Sequence, residues 1–183
     1  MNKMIKLPLF LGICGAACGA ILAGVYAFTN PIIEETAAKK AAESYVSMYK
    51  AYGVSTADVV VEGAVTLSDS LFNVGCESRA IVEKAKGVAY TCNVTGYAGT
   101  ISFQVAFAEG NYIGYTNLAN NETGSYGGAL ITKITSALAG KPSADKAPTD
   151  IYDYSGATFT GKPISAAIEA CRQDYLAWYA ANN

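Results

Sequence analysis

A run of 22 residues from Leu7 to Phe28, LPLFLGICGAACGAILAGVYAF, carries no formal charge and constrains everything that follows it. At a helical rise of ~1.5 Å per residue, such a run matches the hydrocarbon thickness of a bilayer. It reads as an N-terminal membrane anchor helix within residues 1–30, with a second domain over 31–183. Lys3 and Lys6 precede it and Glu34 and Glu35 follow it, so the charge bias places the N-terminus in the cytoplasm and the remainder outside. Three other readings of the segment compete: a cleaved signal peptide ending at Ala27, a lipoprotein signal ending at Cys18, and a buried core helix, against which the length of the run and its place near the terminus argue. Gly12, Gly15 and Gly19, with Ala16 and Ala20 beside them, make a small-residue face on which a second membrane helix can pack.

Beyond Pro31 the pattern is that of an α+β domain. EETAAKKAAESYVSMYKAY is rich in helix formers and predicts a helix over about 33–52. Val, Ile, Tyr, Phe and Thr then dominate. AYTCNVTGY, TISFQVAFA and YIGYTNLAN read as neighbouring antiparallel strands joined by short turns near Gly96–Gly99 and at Glu109-Gly110-Asn111. Residues 129–139 read as a helix, 140–149 as a loop and 163–181 as a closing helix whose first turn accommodates Pro163. The expected architecture is a twisted antiparallel sheet with flanking helices.

Composition removes several functions. The chain has no histidine, which excludes His-based triads and zincin-type centres. Its formal net charge of −2, with scattered Lys and Arg, offers no field for nucleic acid. Cys14, Cys18, Cys76, Cys92 and Cys171 match neither zinc nor iron–sulfur spacing. Two readings of Cys76 and Cys92 stand: small buried hydrophobes, or a disulfide if the domain faces an oxidising compartment. There is no dinucleotide fingerprint either.

Two glycine-rich stretches remain. NNETGSYGGALI, residues 120–131, joins a strand to a helix and contains Gly124, Gly127 and Gly128. It fits a loop that needs unusual backbone angles, and equally a loop that lets a ligand approach the backbone. DYSGATFTGKP, residues 153–163, sits at a helix entrance, where backbone amides favour an anion such as a phosphate. Lys162 can add a compensating charge, and an ordinary capping loop is the competing reading.

SGAT at 155–158, followed by Thr160 and a closing helix, resembles the flavin attachment motif of a known family. That family is the FMN-binding domain shared by the G subunit of the Rnf complex and the C subunit of the sodium-translocating NADH:quinone reductase. The order of segments is similar too: a membrane helix, a short helix, Gly96-Tyr97-Ala98-Gly99, the loop from Glu122 to Ala129, and the motif near the C-terminus. The resemblance implies an FMN phosphoester on the hydroxyl of Thr158, installed by a separate flavin transferase. It places Ser155, Gly156 and Ala157 in the phosphate turn, and Glu122, Thr123, Gly124, Gly127 and Gly128 in the second loop facing the flavin. The family commonly carries an acid three positions before Ser155, where this chain has Tyr152, and its second loop usually has a proline and a leucine.

The function so implied is a membrane-anchored electron-transfer subunit of an Rnf-type complex. Such a complex passes electrons between ferredoxin and NAD and drives Na⁺ or H⁺ across the membrane, with other membrane subunits as partners. A free-standing exported flavoprotein and a flavin-free scaffold are the alternatives.

Overall fold

The computed structural model describes Gly15, Gly19, and residues 42–63, 66–146 and 152–183. Gly15 and Gly19 apart, the expected membrane span lies outside the described residues, as do the domain boundary at 30 and the start of the 33–52 helix. Among the described residues, no helix is long and apolar enough to cross a membrane. Residues 41–183 form one folding unit.

Its centre is a five-stranded antiparallel meander, β1 (Val60–Gly63), β2 (Cys76–Val82), β3 (Gly87–Thr95), β4 (Thr100–Ala108) and β5 (Asn111–Ala119), in sequential order. Among the described residues the α-helices are α1 (42–48), α2 (Asp69–Phe72), α3 (Gly127–Ala137) and α4 (Thr158–Asn182). The three strands expected from the composition and the turn signals are β3, β4 and β5. A helix ending near 52 is present as α1 continued by a 3₁₀ turn, Lys50–Tyr52.

The two faces of the sheet are built from different residue sizes. Val88, Tyr90, Cys92 and Val94 of β3, with Ile101, Phe103, Val105 and Phe107 of β4, point to one side and pack under α3 and α4. The opposite face carries Ala80, Ala89, Ala106 and Ala108, and the rings of Tyr45 and Tyr49 fill the space above these small side chains. Tyr49 donates its hydroxyl to the Phe107 carbonyl at 2.8 Å, while Tyr45 bonds Ser78 and Thr91 at 2.8 and 2.6 Å. Gly87 is required here, because a Cβ would stand 2.6 Å from the Tyr49 ring.

Two irregularities redirect side chains. In β5 the register shifts where Ala106 and Phe107 of β4 meet Gly114 and Tyr112, so Tyr112 and Tyr115 both reach the α4 side. A similar shift between Cys76 and Ser78 turns Cys76 onto that side as well. Cys76 and Cys92 are Cα partners in the ladder, yet Cys76, Cys92 and Cys171 are all free, buried thiols. The disulfide reading is therefore not realised.

α4 begins at Thr158, five residues earlier than expected, and α3 spans Gly127–Ala137 instead of 129–139. Pro163 thus sits inside α4, not in its first turn. The carbonyl that its missing N–H leaves without a helical donor belongs to Phe159, one turn earlier. The segment 140–146 has no helix, and Pro142 makes an isolated bridge to Asn111.

Candidate functional site

The two glycine-rich stretches, 30 or so residues apart in sequence, meet at the first turn of α4. A cavity of about 470 Å³ is lined by Tyr97, Glu122, Thr123, Tyr126, Gly127, Gly156, Phe159 and Thr160. Three aromatic side chains in this lining are strongly exposed: Tyr97 at 78%, Tyr126 at 54% and Phe159 at 77%. Large apolar groups at that exposure are costly unless something covers them.

Glu122 ties the walls together. Its Oε1 accepts the backbone N–H of Ala98 at 3.0 Å, and its Oε2 accepts the hydroxyl of Thr160 at 2.7 Å. The carboxylate thereby joins the turn carrying Tyr97 to the helix turn carrying Phe159. Gly96 and Gly127 flank it, and a Cβ on either would collide with a carboxylate oxygen. Thr160 is 1% exposed, so its hydroxyl is committed to this bond.

The loop from Asn120 to Gly127 is set by local bonds. Asn120 Oδ1 accepts the Glu122 N–H at 3.0 Å, and the Thr123 carbonyl accepts the N–H groups of Tyr126 and Gly128 at 3.1 and 3.0 Å. Across the cavity, Gly156 adopts φ +82°, and a Cβ there would stand 2.8 Å from the Tyr126 ring. The positive φ and the ring contact both demand glycine.

Ala157 is the N-cap of α4 and offers no side-chain cap; the Thr160 N–H donates to the Ala157 carbonyl at 3.0 Å, which leaves the amides of Thr158 and Phe159 without an acceptor in the helix. The helix dipole adds partial positive charge at that end. Thr158 opens the helix and is exposed. It lines an adjoining cavity of about 430 Å³ with Tyr152, Asp153, Gly161, Lys162, Ser165, Ala166 and Glu169. Lys162 therefore shares a cavity with Thr158, but Asp153 and Glu169 oppose its charge there. The Arg172 guanidinium holds the Glu169 carboxyl below the usual glutamate range.

The sequence-derived residues divide as follows. Glu122, Thr123, Gly127 and Gly156 come together around the aromatic cavity, and Thr158 and Lys162 around its neighbour. Ser155 is exposed in the turn, while Ala157 is 3% exposed and packs into the core. Gly124 lies in an open turn, and Gly128 faces a different cavity beside Tyr115 and Ile131. Tyr152, where the resembled family has an acid, is half-buried against the core, and burial pushes its hydroxyl far above the ordinary tyrosine value.

Tyr97, Tyr126 and Phe159 were not among the candidates from sequence. Each lies inside a quoted motif, but single aromatics in loops carry no periodicity, and their exposure emerges only in the fold. The set suits a planar aromatic phosphate ester: apolar rings and a glycine cradle on one side, uncapped helix amides, a hydroxyl and a lysine on the other. Comparison with curated proteins gives no match. Residues 96–173, from the turn of Gly96 through most of α4, match the family model of the FMN-binding domain, which supports a flavoprotein with FMN as its cofactor.

Proposed function

We propose that this chain is an electron-transfer subunit in which the FMN phosphate is esterified to the Thr158 hydroxyl by a flavin transferase. FMN, when bound, supplies one- and two-electron transfer. Tyr97, Tyr126 and Phe159 flank its ring system, Glu122 fixes the two walls that carry them, and the α4 amides with Lys162 offset the phosphate charge. Covalent attachment suits an exported carrier, because a dissociated flavin would be lost by dilution.

The observation that carries this reading is the first turn of α4. An exposed threonine hydroxyl opens an uncapped helix, and its neighbours Gly156, Phe159 and Thr160 line the cavity with the exposed aromatics. The site contains no fingerprint for a nucleotide and no cluster spacing, so electrons enter and leave through partners. An anchor at 1–30 with the flavin domain outside, and membership of an Rnf-type complex coupling ferredoxin and NAD to Na⁺ or H⁺ translocation, complete the proposal.

Co-expression with a flavin transferase tests it. Denaturing gels read under ultraviolet light, with intact mass, should show fluorescence and an FMN-sized increment in the wild type and in Thr160→Ser, and neither in Thr158→Ala. An unmodified wild type beside an active transferase control would overturn covalent attachment and leave a scaffold role.

A further inference from the structure

Away from the flavin cavity, three cysteines distant in sequence meet in the core. Cys76 opens β2, Cys92 lies in β3 and Cys171 in α4, and each is at most 2% exposed. Their sulfurs all lie within 4.8 Å of one another, with Cys92 Sγ and Cys171 Sγ 3.6 Å apart. A triangle with one such side and none longer than 4.8 Å has a centre at most about 2.6 Å from each sulfur, against ~2.3 Å for a zinc–thiolate bond. A small contraction brings all three within bonding distance of one ion.

From this geometry we propose that Cys76, Cys92 and Cys171 form a three-coordinate site for a soft, thiophilic divalent metal ion. Thiolate sulfur selects such ions over hard cations. Binding replaces three S–H bonds by three metal–sulfur bonds and releases three protons per ion, with no change of oxidation state. A Cys92–Cys171 disulfide would account for only two of the sulfurs. The metal site accounts for all three, and for the register shift that turns Cys76 toward the other two.

The surface nearest the cluster in sequence is concave. A surface cavity of about 440 Å³ is lined by Val74, Gly75, Asn93 and Val94, the chain neighbours of Cys76 and Cys92.

The test uses the full-length chain with Cys14→Ser and Cys18→Ser, so that no other thiols compete. The protein is reduced, freed of reductant and titrated with Cd²⁺, following the thiolate-to-metal charge-transfer band. One ion per chain is expected, together with at least tenfold slower alkylation of all three cysteines in mild denaturant. Cys76→Ala, Cys92→Ala and Cys171→Ala should each weaken binding at least tenfold. Because a core variant can misfold, the parent titration decides alone: no saturable 1:1 complex, or a complex that leaves any of the three thiols as reactive as before, overturns the site. A reduced parent that binds no Cd²⁺ and reoxidises to a Cys92–Cys171 disulfide also overturns it.

Discussion

The hydroxyl of Thr160 donates to Glu122 Oε2 at 2.7 Å, across 38 positions of sequence, and the other oxygen of the same carboxylate holds the Ala98 amide. One half-buried carboxylate therefore sets the distance between the Tyr97 turn and the start of α4. Glu122→Ala leaves a buried hydroxyl and a backbone amide without their acceptor, a loss of about 1–3 kcal/mol. Urea denaturation should show that loss, with Glu122→Gln intermediate because its amide oxygen still accepts one bond. Flavin attachment, read by gel fluorescence, should fall in the same order.

Thr158 and Thr160 are two residues apart and should behave oppositely. Thr158 is exposed at the helix start, so Thr158→Ala should change stability by no more than about 0.5 kcal/mol while abolishing attachment. Thr160→Ala removes a buried donor to a carboxylate and should cost about 1.5–3 kcal/mol. Chemical denaturation of both variants beside their intact masses separates the acceptor from the strut. Equal destabilisation by the two substitutions would contradict the assignment.

Gly156→Ala meets two obstacles together, the φ of +82° and the Tyr126 ring. A non-glycine residue held in that region costs about 1–3 kcal/mol. Tyr126→Ala in the same chain removes the ring contact but not the backbone strain, so the double variant should recover only part of the loss. A double-mutant cycle in urea measures that coupling.

Much of this arrangement was legible in the residues. The β-branched and aromatic residues of TISFQVAFA and its neighbours, with the turn signals between them, predict β3, β4 and β5. Such composition says nothing of facing, and in β5 the bulge at Gly114 puts Tyr112 and Tyr115 on one side. β1 lies in a stretch rich in strand formers, but a four-residue strand with exposed ends carries too little pattern to set its bounds. Pro163 misplaces the α4 boundary: proline favours a first turn, but here the helix starts at Thr158 and carries the proline inside it. For the site, the glycines were visible and their purpose was not. Gly96 and Gly127 make room for a carboxylate, and only the fold reveals that both serve Glu122.

Acid should expose a second strut, on the far side of Thr158's cavity. Arg172, 7% exposed, forks onto Glu169 at 2.9 and 2.7 Å and donates to the Ser143 and Ala144 carbonyls at 3.0 and 3.2 Å. The guanidinium depresses the Glu169 carboxyl below its ordinary value of 4.5, so folding favours the deprotonated form. A group lowered in the folded state contributes fully above its unfolded value and loses that contribution as pH falls through its folded one. The pair should therefore stabilise the domain at neutral pH and down to about 4.5, and fade below it. Glu169→Gln lacks the titrating group. The gap in urea midpoint between wild type and variant should be constant from neutral pH to mild acid and close further down. A gap that persists unchanged into strong acid would show that Glu169 acts by packing, not by its charge.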